Sequence, residues 1–188
     1  SNNGGDGYVV ARHLAERGHD VTVTAAAPPR SADARAMAAR WSGPVLAYGE
    51  AKPAAGFIDA LFGIELDRPL EVSDVAELQR LGASARARIA IDLPSGVGSD
   101  DGALLGAPFD FGLTVTFGAR KTAHVIEPAR EYCGRLVVAD IGLGVIESAR
   151  AIPTRCFMPP ESSEGLLCSE PVSPTRSIYF CACVWIFC

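Results

Sequence analysis

Apolar and polar positions along the chain follow two rhythms that alternate. Tyr8 to Arg17 reads as a helix closing on Gly18, and His19-Asp20-Val21-Thr22-Val23-Thr24 then switches to period two with β-branched residues, which suits a strand. Ser31 is a plausible N-cap for an Ala- and Arg-rich run from Ala32 to Trp41 that ends near Gly43. Pro44 to Tyr48 predicts a short apolar strand, and Phe57 to Phe62 predicts a buried one that stops on Gly63. Within Val72 to Leu81 the apolar positions Val72, Val75, Ala76 and Leu78 fall at helical spacing. Three more strand-like runs end in polar or glycine residues: Arg88–Asp92 into Leu93-Pro94-Ser95-Gly96, Leu113–Phe117 into Gly118, and Leu136–Asp140 into Ile141-Gly142.

Repeated strand–helix units with short apolar strands predict an α/β fold: a mostly parallel sheet covered on both faces, with right-handed crossovers. Open sheets of this kind place ligands outside the carboxyl ends of their strands. Asp59, Asp92, Ser95 and the loop Gly118 to Lys121 therefore gather on one edge, together with the polar, glycine-rich opening Asn2-Asn3-Gly4-Gly5-Asp6-Gly7 that feeds the first helix. Glycines permit close backbone approach, and the first amides of a helix lack internal partners, so that opening suits an anionic ligand. A glycine-rich loop should itself follow a strand. No residue precedes Ser1, so the pattern predicts a sheet that lacks its first strand.

With 188 residues, 48% of them hydrophobic, the chain suits one domain with a core of ordinary size. Its formal charge of −5 and the lack of a basic run exclude the electrostatic footprint of a nucleic-acid binder. No uninterrupted apolar stretch of about 18 residues suggests a bilayer span, and no signal pattern opens the chain, which predicts a cytoplasmic protein. Cysteines are unevenly placed: Cys133 stands alone before residue 150, whereas Cys156, Cys168, Cys181, Cys183 and Cys188 crowd the end. The stretch Ser177 to Cys188 shows neither alternation nor a helical stripe, and a lone Cys-x-Cys does not make a zinc site. The composition thus divides the chain into a domain over 1–143 and a tail over 144–188, expected to be non-native or read-through and poorly ordered.

Four motifs occur in order: Asn2-Asn3-Gly4-Gly5-Asp6-Gly7, Asp59-Ala60-Leu61-Phe62-Gly63, Asp92-Leu93-Pro94-Ser95-Gly96-Val97, and Thr116-Phe117-Gly118 with Lys121. Together they resemble the NAD(P)H-hydrate epimerases, the YjeF amino-terminal domain family, from about Ser1 to Leu143. The resemblance implies a Rossmann-like three-layer α/β/α domain that interconverts the S and R epimers at C6 of hydrated NADH or NADPH (NAD(P)HX), a metabolite-repair activity. It implies substrate contacts from Asn2, Asn3, Gly4, Gly5 and Asp6, and from a second loop comprising Gly63, Ile64, Glu65, Leu66, Asp67, Arg68 and Pro69. It implies potassium as cofactor, bound by Asn3, Asp59 and Ser95, with Asp92 on the reacting ring. A homodimer and a fused or separate dehydratase are partners compatible with it. Family members carry a helical segment and a first strand before the Asn-Asn loop, and neither is present here.

The residues themselves fit several roles. Asp92 stands two positions before Pro94, whose ring stiffens the turn, so its carboxylate suits general acid–base work, or else caps the amides of Gly96 or Val97. Asp59 lies in an otherwise apolar strand and needs a partner: a monovalent cation, a helix amino terminus, or Arg68. Asp6 and the two asparagines suit ribose hydroxyls or a carboxamide, with helix capping as the alternative. Lys121 suits phosphate or solvent, His13 and His19 the surface, and Cys133 a small buried side chain, while His124 stays open. Beside an epimerase, the sequence admits a non-catalytic ligand- or protein-binding module, since relatives are associated with partners such as apolipoprotein A-I, or an inactive truncated fragment.

Overall fold

A computed structural model of the chain describes residues 3–142 and the backbone of 179–184. In chain order the elements are α1 (Asn3–Glu16), β1 (Asp20–Thr24), α2 (Ala32–Ala38), β2 (Val45–Leu46), β3 (Gly56–Ala60), α3 (Val72–Gly82), β4 (Ala87–Ile91), β5 (Leu113–Phe117), a single 3-10 turn (Thr122–His124), α4 (Ala129–Cys133), β6 (Arg135–Ala139) and β7 (Tyr179–Val184). The strands form one sheet in the order β2-β1-β7-β3-β4-β5-β6, and every pair runs parallel. This is the α/β architecture that the alternating rhythms predict. Among the described residues no helix is long and apolar enough to cross a membrane.

Strand β3 shows how the two faces are built. All five of its residues are buried, and their side chains alternate between two cores. Phe57 joins Leu61, Leu78, Leu81 and Phe111 on the α3 side, whereas Ile58 and Ala60 join Tyr8, Ala11, Val21, Val23 and Ala34 on the side of α1 and α2. Fully burying a side chain such as Phe57 or Leu81 contributes about 1.5–3 kcal/mol. Asp59 shares the parity of Phe57, so an apolar strand carries one carboxylate into the α3-side layer near its carboxyl end.

Two expectations change. Helix α1 begins at Asn3, five residues before the predicted start, so Gly4 and Gly5 lie within its first turn instead of in a loop. The reason is packing: a Cβ on Gly5 would sit 3.2 Å from the Cα of Ala34, so only glycine lets α1 approach α2 this closely. In α3 the face read from Val72 and Ala76 is exposed, and the buried stripe is Asp74, Glu77, Leu78 and Leu81. Burial of Glu77 is sustained by Arg80, whose Nη2 and Nε donate to its two carboxylate oxygens at 2.7 and 2.8 Å.

The end of the chain is described only in part. Of the segment 144–188 the structure describes β7, which lies between β1 and β3 with Val23 opposite Ala182 and Asp59 opposite Cys183. A strand with parallel neighbours on both sides and helices over the faces needs no polar positions, which is why Tyr179 to Val184 shows no alternation. Helix α1 lies across β1, β7 and β3, so β7 holds the place beside β1 from which a strand–α1–strand unit would start. The expectations for Cys156, Cys168 and Cys188, and for the side chains of Cys181 and Cys183, fall outside the described residues. Proline within β7 removes a ladder donor from an interior strand, so Ala182→Pro should lower the urea unfolding free energy by about 2 kcal/mol or more. An unchanged midpoint would show that β7 does not pair there.

Candidate active site

Strands β3, β4 and β5 are neighbours, and their carboxyl ends deliver the chemistry-bearing residues to one rim. Asp59, in β3, is 1% exposed and satisfied on both oxygens. Oδ1 accepts from the Ser95 hydroxyl at 2.7 Å and the Leu61 amide at 3.1 Å, and Oδ2 accepts from the Ser95 amide at 2.8 Å. The Ser95 hydroxyl in turn accepts from the Phe62 amide at 3.0 Å. All these donors are neutral. Among the described residues neither Arg68 nor a helix end answers the carboxylate, and burial pushes its pKa up to about 6 although the hydrogen bonds from Ser95 and Leu61 pull the other way.

Asp92 directly follows β4 and adopts a left-handed conformation, with φ of 69°. Its side chain turns toward β5: Oδ1 accepts from the Thr116 hydroxyl at 2.8 Å and from the Lys121 ammonium at 2.5 Å. Capping of Gly96 or Val97 is not what it does, since the Val97 amide donates to the Pro94 carbonyl. Lys121 is only partly exposed, and its ammonium is directed at this carboxylate. It donates also to the Thr116 hydroxyl at 2.7 Å and the Phe117 carbonyl at 3.2 Å.

Helix α1 brings the opening motif to the same rim. The Asn3 carboxamide donates to the Ile91 carbonyl at 3.2 Å, one residue before Asp92. Gly63 closes the arrangement, because a Cβ there would lie 3.1 Å from Asp92 Oδ2 and 3.4 Å from Asn3 Cγ. Asp6, in the first turn of α1, is half-buried. Burial first and the charge of Asp92 second raise its pKa to about 6. Asn3, Gly63, Asp92, Ser95 and Asp59 thus form one contiguous site with Asp6 at its edge, whereas Ile64, Glu65, Asp67, Arg68 and Pro69 are exposed on the loop leading away and Leu66 turns into the α3-side core. Asn2 lies outside the described residues.

Sequence reading gave no role to two members, Thr116, quoted only within a motif, and His124, left open. The signal for Thr116 was the register of β4 on β5, with Ile91 opposite Val115, which puts the next pair, Asp92 and Thr116, side by side. His124 is 5% exposed and bonds to the Asp92 carbonyl at 2.8 Å, a contact 32 residues away in sequence. Cys133 is buried as expected, and burial pushes its thiol up to about 11. His13 is exposed and beside Glu16, while His19 is only half-exposed.

Residues 1–123 match the family described as YjeF-related protein N-terminus. The chain belongs to this family. Among its relatives, the NAD(P)H-hydrate epimerase of Limosilactobacillus fermentum is 36% identical over 149 residues, covering 74% of this chain and 70% of the relative. The bifunctional NAD(P)H-hydrate repair enzyme Nnr of Moorella thermoacetica is 36% identical over 157 residues, and the alignment takes in 76% of this chain but only 30% of that longer protein. The crystal structure of yeast YNL200c superposes with a TM-score of 0.57 at 24% identity, covering 74% of this chain and 62% of that one, which shows a shared fold. A YjeF-related fold therefore frames the rim described above.

The buried carboxylate makes a prediction about pH. Asp59 titrates at 3.8 when free and at about 6 in the fold. The folded state therefore binds more protons between those values, and its stabilising share, full below about pH 4, is lost as pH rises through 6. In a buffer whose only cation is tetramethylammonium, wild-type stability should fall relative to that of Asp59→Asn by about 2 kcal/mol between pH 4 and 7.5, as read by urea unfolding. Asp6 is common to both proteins and cancels. Parallel pH dependences would show that Asp59 is not held as described.

Proposed function

We propose that this chain epimerises NADHX and NADPHX, with Asp92 exchanging the proton and potassium at the Asp59 side of the site. The observation that carries the reading is the rim itself: a fixed carboxylate beside a helix amino terminus, within a chain similar to named epimerases over most of its length. Anionic phosphate suits the first amides of α1, and the Asn3 and Asp6 side chains suit ribose hydroxyls or the carboxamide. An apolar cleft of about 310 Å³ lies further along the same rim, lined by Tyr8, Ala25 to Pro29 and Val45 to Ala47, and offers room for a ring of a nucleotide.

Inverting C6 of a hydrated dihydropyridine requires its hydroxyl to leave or the ring to open and reclose. In the opening route the hydroxyl proton passes to Asp92, C6 becomes a carbonyl carbon, and the electron pair of the C6–N1 bond moves onto N1 and the conjugated carboxamide system. Reclosure on the other face returns the proton to oxygen. Lys121 and Thr116 leave Asp92 Oδ2 facing Gly63 and Asn3, which is where the reacting carbon belongs.

The donor set at Asp59 fits a monovalent cation. Its carboxylate is enclosed and answered only by neutral donors among the described residues, the Ser95 hydroxyl is in contact with it, and Asn3 reaches the same rim through the Ile91 carbonyl. Asn3, Asp59 and Ser95 would hold potassium, which when bound supplies the positive charge that a buried carboxylate lacks. This chain aligns with 30% of the length of a bifunctional repair enzyme, so a dehydratase acting on the same substrate is the partner this activity calls for.

Purified protein incubated with a single epimer of NADHX in potassium buffer should establish the two-epimer equilibrium, resolved by chromatography. Asp92→Asn should slow it by about 100-fold or more, and sodium should not replace potassium. A folded wild-type protein without turnover, or an Asp92→Asn variant at full rate, would overturn the reading.

A further inference from the structure

We propose that Thr116, Lys121 and His124 form a clamp that divides the two oxygens of Asp92, giving Oδ1 to the protein and Oδ2 to the substrate, so that Lys121 and His124 are positioning residues for the reaction. The inference rests on the epimerase reading for its substrate but on geometry for its logic. A non-glycine residue at φ of 69° is strained and persists only where its surroundings over-determine it.

Four bonds supply that constraint, and all come from β5 and the segment after it. The Asp92 amide donates to the Val115 carbonyl at 2.7 Å. Its carbonyl accepts from His124 Nε2 at 2.8 Å, and its Oδ1 accepts from Thr116 and Lys121. Among the described residues Oδ2 takes no hydrogen bond and lies against Gly63, whose lack of a side chain leaves that oxygen uncovered. An ammonium and a hydroxyl saturate one carboxylate oxygen, which leaves proton exchange to the other.

The tautomer of His124 follows from its two partners. The Lys121 amide can only donate, so Nδ1, 2.9 Å away, accepts; the Asp92 carbonyl can only accept, so Nε2 carries the hydrogen. One imidazole therefore ties the start of the Lys121 turn to the backbone of Asp92, and the Lys121 side chain closes the loop onto Oδ1. Burial lowers the pKa of His124, with the charges of Lys121 and Arg120 acting the same way, the Asp92 carbonyl bond and the Asp92 charge opposing, and the neutral ring is retained.

The test compares Lys121→Ala, Lys121→Arg, His124→Ala and His124→Gln with the wild type. Lys121→Ala should lose about 100-fold in kcat with KM changed by less than about threefold, and ethylammonium should restore about tenfold of that loss. His124→Ala should show a similar loss, partly recovered in His124→Gln, whose amide can reach the same carbonyl. Full activity in Lys121→Ala, or a loss that ethylammonium leaves untouched, would overturn the clamp. Backbone NMR of Asp92 reads it without turnover: the coupling and chemical shift that mark a left-handed residue should be present in the wild type and altered in His124→Ala. Their persistence in that variant would also overturn it. An inactive wild type with the left-handed signature intact would sink the epimerase reading and leave the clamp standing.

Discussion

The rim of the sheet depends on one requirement: a carboxylate buried in the α3-side layer must find donors, and the turn after the neighbouring strand provides them. Asp59 takes its amide and hydroxyl bonds from Ser95 and Leu61, and this fixes where the Pro94-Ser95-Gly96 turn runs relative to β3. Leaving such a group without donors would cost several kcal/mol, so the turn has little freedom to move. Asp92, three residues before Ser95, inherits that rigidity from one side and the Thr116, Lys121 and His124 contacts from the other. The position of Asp92 is over-determined because the sheet brings two unrelated satisfaction problems to adjacent strand ends.

Charge is distributed unevenly over this small region. Asp92 has an ammonium beside it, Asp59 has only neutral donors, and Asp6 lies within reach of the Asp92 charge. Three carboxyls and one lysine are a poor arrangement for stability and a useful one for handling protons and an anionic or cation-assisted substrate, the usual compromise at functional sites. The surrounding structure offsets it with apolar packing, including the stack of Phe57, Phe109 and Phe111, whose ring centroids are 5.0 to 6.3 Å apart.

Strand β7 poses a separate question of assembly. A parallel sheet interrupted between β1 and β3 would present two unsatisfied edges beneath α1, and the backbone of Tyr179 to Val184 closes that interval in register with both. The segment comes from the far end of the chain, so its pairing is among the least local contacts in the fold, and such pairings form slowly for entropic reasons.

Periodicity and capping are local, and the sequence determined what they govern. It predicted β1, β5 and α3 within a residue or so, identified Ser31 as the cap that accepts from the Ala34 amide at 3.2 Å, and put Asp59, Asp92 and Ser95 at strand ends, because strand ends are written in residue type. The four motifs carried the family for the same reason. Other features were illegible because they exist only between segments. The early start of α1 depends on the closeness of Ala34, and burial of Glu77 depends on the Arg80 guanidinium and on the Gly49 amide 28 residues away. The roles of Thr116, Lys121 and His124 depend on the register of β4 against β5. The place of β7 depends on pairing with β1 and β3, strands more than a hundred residues away that no window of sequence joins to it. Residue type decided which groups could do chemistry; only the folded sheet, by placing distant strand ends about 5 Å apart, decided which of them meet.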